Sequence, residues 1–105
     1  MRYRLEKDSL GTIRVPADAL WGAQTQRAVE NFQVSTLRQH PEFIRATVEI
    51  KKAAASFHAQ VGWLESGASR AILRACDEVL RGKHLDQFVV DVYQAGAGTS
   101  HHMNV

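Results

Sequence analysis

The sequence predicts a mainly α domain, with an antiparallel helical pair at its centre and a short extended or hairpin arm at its N-terminus. Three observations carry this. Apolar residues recur at three- and four-residue steps over two central stretches. Proline opens the first stretch, and glycine lies at the end of the first and just beyond the end of the second. The first fifteen residues, by contrast, alternate loosely around a polar turn that contains glycine.

The arm comes first. Tyr3, Leu5, Ile13 and Val15 are separated by polar residues on either side of Asp8-Ser9-Leu10-Gly11. A single hairpin or extended arm buries little by itself, so it is expected to lie against a neighbouring surface. Pro16 fixes its own φ and is expected to start a short helical piece over residues 17–20. From Trp21 to Phe32 the apolar spacing follows no clean period, which predicts a turn-rich connector with one short helix.

The first long helix is expected over residues 41–62. Pro41 lacks an N–H that the first helical position does not need. Phe43, Ile50, Ala54, Phe57 and Val61 follow at steps of seven, four, three and four, marking one apolar face. The second helix is expected over 66–81, with Ala68, Ala71, Ile72, Ala75, Cys76, Val79 and Leu80 on its stripe and Arg81-Gly82 at its end. Few residues separate the two, so they should pack antiparallel. Phe43, Ile50, Phe57, Ile72, Cys76 and Val79 are expected to face inward. Glu49, Lys52 and Ser56 should be solvated or lightly paired, as should Asp77 and Glu78.

Length and composition bound the function. A chain of 105 residues makes one domain at most, here residues 1–105. Thirteen Lys+Arg against eleven Asp+Glu leave a charge of only +2, with no basic stripe interleaved with aromatics, so nucleic-acid binding finds no support. The N-terminus is charged too early for a signal peptide and no apolar run reaches membrane-spanning length; a soluble, cytoplasmic protein is expected. The single cysteine, Cys76, fits a buried, reduced thiol on its helical stripe.

One stretch has an evident chemical purpose. The apolar run from Phe88 to Tyr93 leads into a loop with Gly96 and Gly98, followed by Thr99 and Ser100, both good N-cap residues. That order predicts an extended arm, a glycine turn and the first turn of a helix. Backbone N–H groups, a hydroxyl and the positive end of the helix dipole would then converge on one point, where a carboxylate or phosphate fits. Two nucleotide motifs fail: no lysine follows Gly98 as a P-loop requires, and His101 stands where a dinucleotide fingerprint needs its third glycine. An ordinary glycine turn capping a helix is the structural alternative. His101 and His102 are adjacent and so share no helix face, and no third ligand is spaced to join them; neither a metal nor a cofactor is expected. A solvent-facing or interface role suits the pair better.

The run Gln94-Ala95-Gly96-Ala97-Gly98-Thr99-Ser100, with Met103-Asn104, resembles the first signature block of the aspartase/fumarase superfamily. Three further stretches match in the same order: Glu6-Lys7-Asp8-Ser9-Leu10-Gly11 with Val15-Pro16-Ala17-Asp18, Trp21-Gly22-Ala23-Gln24-Thr25-Gln26-Arg27 with Glu30-Asn31-Phe32, and Ala75-Cys76-Asp77-Glu78-Val79-Leu80. The resemblance covers almost the whole chain and implies the N-terminal domain of that fold, from an enzyme several hundred residues long.

It also implies a chemistry. Such lyases release fumarate by eliminating ammonia from L-aspartate or water from malate, and Thr99 matches a threonine that binds one substrate carboxylate. Thr99, Gly98, Ala97 and Arg27 are therefore the candidate substrate-binding residues. Arg27 could form a bidentate pair with a carboxylate, or equally a surface or inter-subunit ion pair. Fumarases usually carry serine between the glycines and aspartases tend to carry alanine, so Ala97 favours aspartate ammonia-lyase, with class II fumarate hydratase as the alternative. The family's catalytic base is a serine on a much later loop and its other blocks are later too, so no catalytic residue is assigned here. The resemblance also implies a homotetramer with each site built from three subunits. A non-catalytic helical binding or assembly module is a reading that the residues alone leave open.

Overall fold

The computed structural model describes all 105 residues. Strands β1 (Tyr3–Asp8) and β2 (Gly11–Pro16) are followed by helices α1 (Ala23–Asn31), α2 (Pro41–Gln60) and α3 (Ser66–Leu80), a 3-10 turn over Leu85–Gln87, and helix α4 (Thr99–Asn104). The chain divides into two compact units, one made of Met1–Gln39 with Asp86–Val105 and the other of His40–Leu85.

In the first unit the arm is a true hairpin. β1 and β2 pair antiparallel, with Arg4 opposite Val15, Glu6 opposite Ile13 and Asp8 opposite Gly11. Only Ser9 and Leu10 connect them, and Gly11 has φ +114°, a conformation that suits glycine. The alternation runs opposite to a simple apolar-in pattern on β1. Tyr3 and Leu5 face solvent, while Arg4, Glu6 and Asp8 share the half-buried face with Ile13 and the fully buried Val15.

The inward charges have work to do there. The Arg4 guanidinium donates to the carbonyls of Pro16 (2.9 Å), Ala17 (3.2 Å), Ala19 (2.8 Å) and Trp21 (2.7 Å). This also explains why residues 17–20 form a turn and not the expected short helix. Carbonyls gathered onto one guanidinium cannot point along a helix axis. Helix α1 then occupies most of the stretch expected to be turn-rich, burying Ala23, Thr25 and Ala28 and packing against the hairpin and α4.

The second unit is the antiparallel helical pair. Pro41 opens α2, and the His40 Nδ1 accepts from the Glu42 N–H (3.1 Å), capping the helix start. Gly62, at φ +79°, and Gly82, at φ +91°, follow the two helix ends. The antiparallel sense shows in the cross-links: Arg45, early in α2, donates to the Leu80 carbonyl at the end of α3, and Lys52 meets Asp77 (2.5 Å). Glu78 pairs with His84 (2.9 Å), a residue held at φ +64°.

The contact face differs from the expected one. Ile44 and Val48 are each 3% exposed and, with Ala55, Ser69 and Cys76, form the buried seam. Of the residues expected inside, only Cys76 is buried and Val79 is half-buried; Phe43, Ile50, Phe57 and Ile72 are exposed. Helix α2 carries apolar residues on two sides, and the larger side chains lie on the uncovered one. There Phe57 and Trp63 meet edge to face, ring centres 6.3 Å apart. No helix is long and apolar enough to cross a membrane.

Candidate functional site

The glycine loop lies in the first unit and is held from both sides. Before it, Val90 is almost fully buried and anchors the arm. Asn104 straps that arm to α4: its side-chain oxygen accepts from the Val89 N–H (2.9 Å) and its amide donates to the Gln87 carbonyl (3.0 Å). Gln87 in turn accepts from the Leu20 N–H (2.8 Å).

Asp91 is the deepest charged group here, 3% exposed. One oxygen accepts from the Ser35 N–H (2.5 Å), the other from the Ser35 hydroxyl and the Tyr93 N–H (2.9 Å each). The Tyr93 and Ser35 donors hold its pKa below the ordinary carboxylate value, against the opposing effect of burial. A buried carboxylate satisfied by neutral donors fixes the entry to the loop.

Within the loop, the Gly98 N–H donates to the Ala95 carbonyl (2.9 Å), closing a turn over Gly96 and Ala97. Gly98 has φ +73° and is the N-cap of α4. Thr99 is therefore the first helical residue, and neither its side chain nor that of Ser100 caps the helix. With no side chain at the N-cap, the acceptor for the third helical N–H comes from elsewhere. The Gln94 carboxamide accepts from the His101 N–H (3.0 Å) and donates to the Asp91 carbonyl (3.0 Å), spanning the turn. The Thr99 and Ser100 N–H groups find no acceptor within the chain. Thr99 is solvent-exposed, with its hydroxyl uncommitted to capping the helix. Ala97 is exposed beside them.

The two histidines part company, His101 being buried and His102 exposed, so the solvent-facing half of the solvent-or-interface expectation fits His102 and not His101.

Arg27 lies on α1, which packs against α4, but its side chain turns to the hairpin. Its Nε and Nη2 donate to the two oxygens of Asp8 (2.8 and 2.9 Å), and Nη2 also reaches the Gly11 carbonyl (3.1 Å). The pair depresses the Asp8 pKa and raises that of Arg27. The structure thus gathers Ala97, Gly98 and Thr99 into one loop and commits Arg27 to Asp8. Sequence reasoning missed Gln94 and Asp91 as structural members of the loop. The only available signal was the Asp-x-x-Gln spacing ahead of the glycines.

The fold and the loop both have counterparts. The profile of a family described as lyase matches residues 11–105. Fumarate hydratase class II of Halobacterium salinarum is 53% identical over 102 residues, covering 97% of this chain and 22% of that protein. Aspartate ammonia-lyase of Escherichia coli is 52% identical over 104 residues, covering 96% and 22%. A fumarate lyase:delta crystallin structure from Brucella melitensis superposes with a TM-score of 0.94 at 46% identity, covering 98% of this chain and 23% of that one. The class II fumarase structure from Schistosoma mansoni gives 0.93 at 38% identity, with 98% and 22% covered. The chain thus spans under a quarter of the length of these relatives, and the two activities match it about equally well. A family match over most of the chain, close relatives among fumarase and aspartase, and the same fold around the glycine loop place this chain in the aspartase/fumarase lyase superfamily.

Proposed function

We propose that this chain is the N-terminal part of a lyase that reversibly eliminates ammonia from L-aspartate to give fumarate, and that it contributes the loop holding one substrate carboxylate. The observation that carries the reading is the state of the loop. Thr99 stands first in α4 behind the left-handed Gly98, its hydroxyl exposed and its N–H, like that of Ser100, without an acceptor. A carboxylate needs two or three such donors, and they sit at the positive end of a short helix. Ala97 supports ammonia over water as the leaving group, because no hydroxyl stands between the glycines to serve a hydroxy acid.

The chemistry needs a base to remove the proton beside one carboxylate and hydrogen bonds to stabilise the dianionic aci-carboxylate that results. Thr99 and the loop amides serve the second task only. The base belongs to other parts of a longer polypeptide, working as a cytoplasmic homotetramer with sites shared between subunits. The 105-residue chain by itself is accordingly inactive.

The test is an assay of the lyase containing this segment, following fumarate by its ultraviolet absorbance with L-aspartate and with malate separately. Fumarate from L-aspartate and none from malate is the expected result. Fumarate from malate alone reassigns the enzyme as a class II fumarate hydratase. No fumarate from either substrate overturns the lyase reading in favour of a non-catalytic helical module.

A further inference from the structure

We propose that Asp91 is a positioning residue: its buried carboxylate, anchored on Ser35, holds the Gly96–Thr99 loop through Gln94 in the orientation that presents Thr99 to a substrate carboxylate. The functional half of this inference rests on the reading above that Thr99 meets a carboxylate.

The connections run unbroken. The Ser35 N–H and hydroxyl grip the Asp91 carboxylate, which also takes the Tyr93 N–H. The Asp91 carbonyl accepts from the Gln94 amide, and the Gln94 oxygen accepts from the His101 N–H in the first turn of α4. A segment more than fifty residues earlier in the chain is thereby tied to the far side of the glycine turn.

Two features indicate positioning over bulk stability. First, Asp91 has no cationic partner in the structure; every donor it meets is neutral. The buried carboxylate fixes three donors in direction, which an apolar side chain cannot do. Second, beyond the Gly98 N–H bond to the Ala95 carbonyl and the His102 N–H bond to the Gly98 carbonyl, the loop has little to hold its shape. Gly96, Ala97 and Thr99 are exposed, and the N-cap has no side chain. Gln94 occupies the third helical N–H, while the Thr99 and Ser100 N–H groups have no acceptor.

Amide hydrogen exchange on the 105-residue chain tests the relay, with the His101 N–H as reporter. Asp91→Asn replaces one acceptor oxygen by a donor that faces donors. It should speed His101 exchange about tenfold or more, the effect of losing a hydrogen bond to a charged group, while amides of β1, β2 and the middle of α2 and α3 keep their protection. Gln94→Leu, which removes the direct acceptor, should accelerate His101 at least as much. Val15→Ala, which damages the buried side of the hairpin, should lower the melting temperature without this local effect. Unchanged His101 exchange in folded Asp91→Asn overturns the proposal, as does an equal acceleration in Val15→Ala. Should Asp91→Asn not fold, Ser35→Ala decides: a smaller selective acceleration supports the relay and none overturns it.

A succinate titration of the lyase containing this segment separates the two claims. Succinate should slow exchange of the Thr99 and Ser100 amides in wild type, and Asp91→Asn should need several-fold more succinate for the same protection. No protection in wild type counts against the carboxylate reading and leaves the relay to be judged by exchange. Equal responses in both proteins, with His101 exchange accelerated, overturn the link between relay and binding.

Discussion

Arg27 on α1 and Asp8 at the end of β1 meet in a two-point ion pair, with parallel hydrogen bonds of 2.8 and 2.9 Å. The fork geometry matches guanidinium to carboxylate and ties the hairpin turn to the first helix. Because the pair depresses the folded-state pKa of Asp8, its contribution is present above the ordinary carboxylate range. It is lost as pH falls through the lower folded-state value. Asp8→Asn should therefore lower the melting temperature at neutral pH and converge with wild type in acid. Arg27→Lys, which keeps the charge but not the fork, should fall between them. Thermal unfolding followed across pH by circular dichroism checks both; a constant difference between Asp8→Asn and wild type down to the lowest pH would contradict the assignment.

The seam of the helical pair gives a second prediction. Ile44 is 3% exposed and Ile50 is 69% exposed on the same helix. Ile44→Ala should cost about 2–5 kcal/mol, the usual range for emptying a packed aliphatic site. Ile50→Ala should stay within about 0.5 kcal/mol, as most exposed substitutions do. Urea unfolding midpoints of the two variants measure the contrast, and a larger loss for Ile50→Ala would restore the face read from periodicity.

That contrast shows what the letters could and could not reveal. Pro41 and the glycines at 62 and 82 made the long helices legible, because proline and glycine act through local backbone geometry. The seam was misread because α2 is apolar on two sides, and Phe43, Ile50, Phe57 and Val61 outweigh Ile44, Val48 and Ala55 in size. Periodicity identifies an apolar face but not which face finds a partner. Helix α1 was only partly legible, since its buried residues, Ala23, Thr25 and Ala28, are small or polar. It is held by its neighbours more than by its own pattern.

In the loop, Gly98 and Gly96 should respond differently to a methyl group. Neither would place a Cβ within 4 Å of another atom, but only Gly98 has a positive φ, at +73°. Gly98→Ala should destabilise the chain by about 1–2 kcal/mol, the cost of a left-handed alanine. Gly96→Ala should be nearly neutral. Differential scanning calorimetry of the pair would distinguish strain from lost space.

Thr99→Val in the lyase containing this segment keeps shape and β-branching and removes the hydroxyl. Since that hydroxyl does not cap α4, the fold should hold while substrate affinity falls. Losing one hydrogen bond to a charged group costs about 1.5–3 kcal/mol, or about ten- to a hundredfold. A contact that strengthens as the aci-carboxylate forms would lower kcat as well as raise KM. Unchanged kinetics in a folded variant would remove Thr99 from the site.

Much of that loop was legible because two glycines and a threonine at fixed spacing carry their geometry locally. Its support was not. The Ser35–Asp91 contact joins residues 56 positions apart, and Gln94 acts as a cap from outside the helix. Neither arrangement leaves a periodic trace, so only the folded chain displays them.

Cys76, the single thiol of the chain, lies buried in the seam between α2 and α3, with its pKa raised chiefly by burial. Both features slow its chemistry, since alkylation needs an accessible thiolate. Modification must then wait until the two helices separate. The rate of labelling in native buffer becomes a clock for that opening, readable by the mass the label adds. It would record how often the seam between the two helices opens.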